Sequence, residues 1–186
     1  MVIETRHALT VEDFDRLVDL PENADRLFEY IDGEAVEVPS NPFASMLAIR
    51  ISSRIWLYLD NNDIGQVTGE GGGYMVNGER YAPDVAYISH AKQKTLAQKG
   101  YNPLPPDLVA EVISDPTNKQ EQDDLEKKLS NYMIAGTTVW VFDWSKKHVE
   151  VHVPGKQKQV VGLDGTLTAE SILPGFSLKV ASVLKE

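Results

Sequence analysis

Glu111 stands in the middle of Leu108–Ser114 (LVAEVIS), a run that carries no other charge. Such a run reads as a buried central strand. An ionised carboxylate inside one is costly unless something compensates it. The two usual compensations are a basic partner and a metal ion. Asp84, directly after Pro83, and Lys128, further along the chain, offer both. Side chains alternate along a strand, so Glu111 shares a face with Val109 and Ile113, and Asp84 with Ala86 and Ile88. Both acids therefore point to faces that are otherwise apolar. If the two strands are neighbours, the carboxylates reach one hard cation. Mg²⁺ takes one or two carboxylates, several waters and substrate phosphates. Such an ion polarises a phosphodiester and activates the attacking water.

The lysine depends on a helix. At about 100° per residue, Leu125, Leu129 and Tyr132 share one face, Lys128 lies on its border and Lys127 points away. Lys128 can reach inward, and Asp124, four residues earlier, can pair with it. A bland reading covers the same residues: a structural Glu–Lys pair, a lysine extending to solvent and an aspartate in a turn.

The surrounding elements follow from local signals. Thr10 to Asp13 resembles a capping box, opening a short helix that stops at Pro21. Arg26–Val38 reads as a hairpin around Asp32-Gly33, a type I′ signal, ended by Pro39 and Pro42. Leu47, Ile51, Ile55 and Leu59 mark an amphipathic helix over Ser45–Leu59, with Arg50 and Arg54 off the stripe. Gln66–Ser89 is strand-rich, with a second tight turn at Asn77-Gly78 and a strand over Tyr81–Ile88. His90–Pro106 is a long loop. After the central strand, Asp115-Pro116 opens a helix that ends near Ala135-Gly136. Strands follow at 139–142 and 149–153, then a turn region over 162–168 and a last strand at 177–180. This order predicts an α+β or mixed α/β domain, a central sheet flanked by helices. At 186 residues, one domain over 1–186 is expected.

Composition narrows the function classes. Cysteine is absent, which removes disulfides, thiolate zinc sites and a Cys nucleophile and fits a reducing cytoplasm. No run is long enough to span a bilayer, and the N-terminal stretch with Glu4 is not a signal peptide. Residues 1–89 carry six Arg, no Lys and 16 Asp or Glu, which accounts for the whole net charge of −10. That acidity lowers the case for non-specific nucleic-acid binding; the neutral second half can still present a basic face. Gly69–Gly73 lacks the Lys-Ser/Thr of a phosphate loop. His148 and His152, four residues apart on a strand, are roughly 13 Å apart and cannot share a metal. His7 and His90 lack ligand spacing, and Ser114, Thr117 and Ser130 lack a His partner. Trp144, beside a hairpin turn, is a candidate for a subunit contact.

Several segments, in order, resemble the Uma-type family of putative restriction endonucleases in the PD-(D/E)xK nuclease superfamily. They are Phe28–Glu34 (FEYIDGE), Pro83-Asp84-Val85, Leu108–Ser114, Asp124 with Lys128 and Tyr132, Ala135-Gly136 followed by Val139–Asp143 (VWVFD), and Leu173–Phe176 (LPGF). The resemblance covers nearly the whole chain. It implies a restriction-endonuclease-like central mixed sheet, with hairpins toward both ends of the chain, Mg²⁺ or Mn²⁺ as cofactor, and hydrolysis of DNA phosphodiester bonds. By position, Asp84 and Glu111 become metal ligands, with the Val112 carbonyl as a third. Lys128 becomes the catalytic lysine, and Glu29 and Asp124 support the site. The superfamily's lysine normally follows the acid by two residues, where this chain has Ile113. Lys128 is then a migrated substitute that stabilises phosphate charge or orients water. Where family members often carry a His near the start of the helix at 45–59, this chain has Ser45-Met46.

The first hypothesis is thus a metal-dependent DNA endonuclease, cytoplasmic, without a membrane, and a homo-oligomer of two or more copies. The second is a catalytically inactive, self-associating domain that keeps the nuclease architecture. A weaker third is a metal-assisted hydrolase acting on another phosphate.

Overall fold

The computed structural model describes residues 8–38 and 41–185; Glu4, His7 and Pro39 lie outside them. The chain enters through α1 (Val11–Val18), whose capping box is complete: Thr10 Oγ1 accepts from the Asp13 N–H and Asp13 accepts from the Thr10 N–H. Phe14 is buried against Phe28 and Tyr30. β1 (Phe28–Ile31) and β2 (Glu34–Glu37) form the expected hairpin. Asp32 and Gly33 both have positive φ, 51° and 83°, as a type I′ turn requires.

α2 (Pro42–Leu59) begins at Pro42 rather than Ser45. Asn41 caps it by accepting from the Phe43 and Ala44 N–H groups. Proline in the first turn loses no helical hydrogen bond, so the residue read as ending the hairpin starts the helix instead. β3 (Gly65–Gly69), β4 (Tyr74–Val76), β5 (Glu79–Tyr81) and β6 (Val85–Ser89) follow. The strand expected over 81–88 is divided, because β5 and β6 belong to different sheets. Pro83, which cannot donate to a ladder, lies at the crossing.

β7 (Leu108–Val112) is buried at every position. α3 (Lys119–Ala135) starts at Lys119 with Asn118 as its cap, not at Pro116. Residues 115–118 form a turn instead, in which Asp115 accepts from both the N–H and the hydroxyl of Thr117. Gly136 ends α3 at φ 81°, the left-handed conformation glycine adopts freely. β8 (Thr138–Asp143), β9 (His148–His152), β10 (Gln159–Gly162), β11 (Thr166–Ala169), β12 (Leu173–Lys179) and α4 (Ala181–Leu184) complete the chain. The sequence reading missed β10 and took β11 for a turn. Both are only four residues long; β10 (QVVG) lacks alternation, and the alternating TLTA of β11 lies beside the Asp164-Gly165 turn signal.

The main sheet has the order β10-β9-β8-β7-β6-β3. β7 and β8 are parallel and the other pairs antiparallel, so the sheet is mixed. α3 is the crossover that two parallel neighbours need. A smaller sheet, β2-β1-β5-β4, stands beside it, and β11-β12 form a hairpin. α2 buries Leu47, Ile51 and Ile55 against Val85, Ala110, Trp140 and Phe142 on one face of the main sheet. α3 buries Leu129 and Tyr132 against Ala86, Val109, Val139 and Val141 on the other. Each large apolar side chain so buried contributes roughly 1.5–3 kcal/mol. Among the described residues no helix is long and apolar enough to cross a membrane.

Candidate active site

The β6–β7 ladder pairs Val85 with Ala110 and Ala86 with Val109. Asp84 and Glu111 are the next residues beyond the Val85–Ala110 rung, and Asp84 bends close enough to β7 for its carboxyl to take the Val112 N–H. They extend the row of Ala86 and Val109, on the face that α3 covers. Asp84 Oδ2 accepts from the Val112 N–H at 2.6 Å, which pins the bend after Pro83 onto β7. Burial, and then the neighbouring Glu111, push the Asp84 carboxyl up to about 7.

Lys128 reaches inward as its helical position predicts, with 8% of its surface exposed. Its Nζ lies 3.0 Å from Glu111 Oε1 and 2.8 Å from Glu29 Oε1, and 5.7 Å from the centre of the Tyr81 ring. Burial alone would lower the Lys128 ammonium, but Glu111 and Glu29 outweigh it and hold it above its usual range. The lysine is therefore a fixed cation. Glu111 Oε1 also accepts from the Tyr132 hydroxyl at 3.1 Å. Burial raises the Glu111 carboxyl against the opposing pull of Lys128.

Glu29, which its hairpin could equally have exposed, is buried. The same Oε1 that meets Lys128 accepts from the Ala82 N–H at 2.7 Å. It thus ties the smaller sheet to the segment that carries Asp84. Asp124 is buried too, but the expected Asp124–Lys128 pair does not form. Asp124 instead accepts from Gln120 Nε2 at 3.0 Å on both oxygens, with Lys127 Nζ 3.4 Å away. Two buried carboxylates draw Lys128 toward the sheet, and Lys127 takes its place on the outer side.

Each central carboxylate has one oxygen held by the protein and one left over. Among the described residues Asp84 Oδ1, Glu29 Oε2 and Glu111 Oε2 receive no hydrogen bond, and none is sealed from solvent. All three side chains line a cavity of about 310 Å³, together with Lys128, Val112 and Gln120. A second cavity of about 400 Å³ lies between α3 and β8–β9, with Asp143 and Lys146 on its wall. Ile113 and Leu125 border both. Among the described residues no three His, Asp or Glu groups cluster closely enough to enclose an ion by themselves. Asp84 and Glu111 supply two opposed carboxylates with free oxygens, a donor set that suits a hard divalent cation retaining most of its water.

Other sequence candidates fall elsewhere. His148 and His152 flank Glu150, at 3.9 and 3.3 Å. Trp144 is not a free surface group: its Nε1 donates to the Ile113 carbonyl at 2.9 Å and its ring packs on Phe43. Trp56 is the exposed tryptophan, at 55%. Sequence reasoning missed Glu121, which accepts from the N–H groups of Ser114 and Asp115 and from the Ser114 hydroxyl, clasping the loop after β7. Its place three residues after the cap Asn118 was the available signal.

Acids on adjacent strands of a mixed sheet, with a lysine from the crossover helix, make this a chain of nuclease-like fold. It is similar to a crystal structure from Anabaena variabilis described as a putative nuclease belonging to DUF820, with a TM-score of 0.78 at 18% identity over 95% of this chain and 97% of that one. The chain belongs to the Uma2 family, described as putative restriction endonuclease, whose profile matches residues 11–181. Curated proteins give no match.

Proposed function

We propose that this chain, as a single domain, is a divalent-cation-dependent endonuclease that hydrolyses phosphodiester bonds in DNA, with Mg²⁺ or Mn²⁺ held by Asp84, Glu111 and the Val112 carbonyl. The observation that carries this reading is Lys128 Nζ, buried between Glu111 and Glu29 beside the free oxygens of Asp84 and Glu111. A bound cation supplies Lewis-acid polarisation of the phosphate and activation of a water. The residues do the rest. Asp84 and Glu111 orient their free oxygens to one side of the sheet. Lys128, fixed in charge and place, stabilises negative charge developing on the phosphate without reorganising. Glu29 holds that ammonium, Tyr132 fixes the rotamer of Glu111, and Asp124 keeps Gln120 and Lys127 at the rim.

The absence of cysteine accords with a reducing cytoplasm. Self-association into a dimer or larger homo-oligomer belongs to the same reading, with Ile49, Trp56 and Leu57 on α2 as exposed apolar surface. The same surface favours the second reading, a non-catalytic self-associating domain. Plasmid nicking with Mg²⁺ or Mn²⁺, run beside calorimetric titration of the ions, separates the two. The nuclease reading expects nicking and ion uptake by the wild type, with both lost in Asp84→Ala. Absence of ion uptake by the wild type at millimolar concentration would leave only the scaffold.

A further inference from the structure

Two hydrogens of the Lys128 ammonium are taken by Glu29 and Glu111, whose oxygens lie 2.8 and 3.0 Å from Nζ. An ammonium donates three hydrogen bonds, and among the described residues the third finds no acceptor. An aromatic face stands beside it instead. The centre of the Tyr81 ring is 5.7 Å from Nζ, within the range at which a ring quadrupole attracts a cation. Tyr81 is completely buried. It ends β5, and the segment it opens contacts the site three times. The Tyr81 ring faces Lys128, the Ala82 N–H donates to Glu29, and the Asp84 carboxyl takes the Val112 N–H.

The Tyr81 hydroxyl fixes the place of the ring. It accepts from Asn131 Nδ2 at 2.6 Å, and Asn131 Oδ1 accepts in turn from Asn77 Nδ2 at 2.7 Å. Asn77 lies in the β4–β5 turn with φ 49°, so this tether closes the short hairpin onto α3. Asn131 follows Lys128 by three residues, which places both on one side of the helix. The helix that carries the ammonium therefore also holds the ring against it. The same ring packs on Tyr132 in a T-shaped pair with centres 5.4 Å apart, and Tyr132 donates to Glu111. Packing alone explains neither the hydroxyl nor its partner: phenylalanine would fill nearly the same space with no buried hydroxyl to satisfy. Burial holds the Tyr81 hydroxyl well above its ordinary range, so the ring stays neutral and acts by its position.

We propose that Tyr81, tethered by Asn131, is a positioning residue for Lys128: its ring closes one side of the ammonium and leaves the third hydrogen to the cavity that Lys128 lines. This rests on the reading of Lys128 as the group that meets a phosphate, and it adds what keeps that group aimed.

The test reads the ammonium itself in the full chain, without metal or DNA, by nuclear magnetic resonance of isotope-labelled lysine. The wild type is expected to show one ammonium whose hydrogens exchange with water far more slowly than those of surface lysines. Tyr81→Phe keeps the ring and drops the tether, and Asn131→Ala removes the tether from the helix side. Both are expected to speed that exchange about five- to tenfold, the worth of one neutral hydrogen bond. Asp143→Asn, weakened at the second cavity, is the control and is expected to leave the exchange unchanged. Equal exchange in wild type, Tyr81→Phe and Asn131→Ala, whatever their urea midpoints, overturns the role of Tyr81 and leaves the nuclease reading standing. Equal acceleration in Asp143→Asn overturns it too, since general loosening would then account for the effect. A wild-type ammonium that exchanges like those of surface lysines overturns it as well. Absence of plasmid nicking by the wild type, with exchange as expected, would overturn the nuclease reading while the hold of Tyr81 on Lys128 stood.

Discussion

At the scale of single residues, the decisive group is an ammonium shared by two buried carboxylates. Removing one partner of a buried ion pair typically costs about 3–5 kcal/mol, because the other charge is left unmatched. Lys128→Met is therefore expected to lower unfolding free energy by about that amount in urea titration. Adding Glu29→Gln to it should restore part of the loss, giving a coupling that a double-mutant cycle reads directly. A cycle with no coupling would mean that Glu29 and Lys128 do not interact as the 2.8 Å contact requires. Asp143 gives a pH-dependent counterpart away from Asp84 and Glu111. Burial would raise its carboxyl, but bonds from Lys146 and Ser145 outweigh that and hold it below the ordinary range. A depressed carboxyl stabilises the fold above the unfolded value of about 3.9 and loses that contribution as pH falls through the folded value. Asp143→Asn should thus be less stable than wild type at pH 7. The gap in melting temperature should close below about pH 4.

Elements decide which residues meet. Glu111 was legible as a functional candidate because an acid inside LVAEV has few structural explanations. Lys128 was legible because helical spacing turns it toward the sheet. The role of Glu29 was not, since a hairpin read alone does not say which neighbour covers it. Only the break at Pro83, which passes the chain from the small sheet to the main one, brings Glu29 under the Ala82 N–H. The start of α2 was misread because Pro42 was read as ending the hairpin and the Asn41 cap was passed over, and that of α3 because Pro116 was taken as the signal in place of the Asn118 cap. That cap is testable. Asn118→Ala removes the acceptor for the Gln120 and Glu121 N–H groups and should cost about 1 kcal/mol. Hydrogen exchange should rise at the first turn of α3 and in the Ser114–Asp115 loop that Glu121 clasps, not at its C-terminal turns.

For the whole molecule, the acidity of the first half sets how a polyanion is met. Affinity that comes from lysines and arginines on phosphates falls steeply with salt. A chain of net charge −10 whose cavity is acidic should show little DNA binding in chelator at any salt concentration. Adding Mn²⁺ should raise binding far more than lowering the salt does, as fluorescence anisotropy of a labelled duplex would report. Tight binding in chelator with a steep salt slope would place the DNA on some other, basic surface. The wall that Ile113 and Leu125 make between the two cavities carries a last consequence. Ile113, two residues after Glu111, works here as a partition. Trimming it to alanine should fuse the compartments of about 310 and 400 Å³ into one passage beneath α3, open to small probes such as xenon, while the acids and Lys128 keep their mutual bonds.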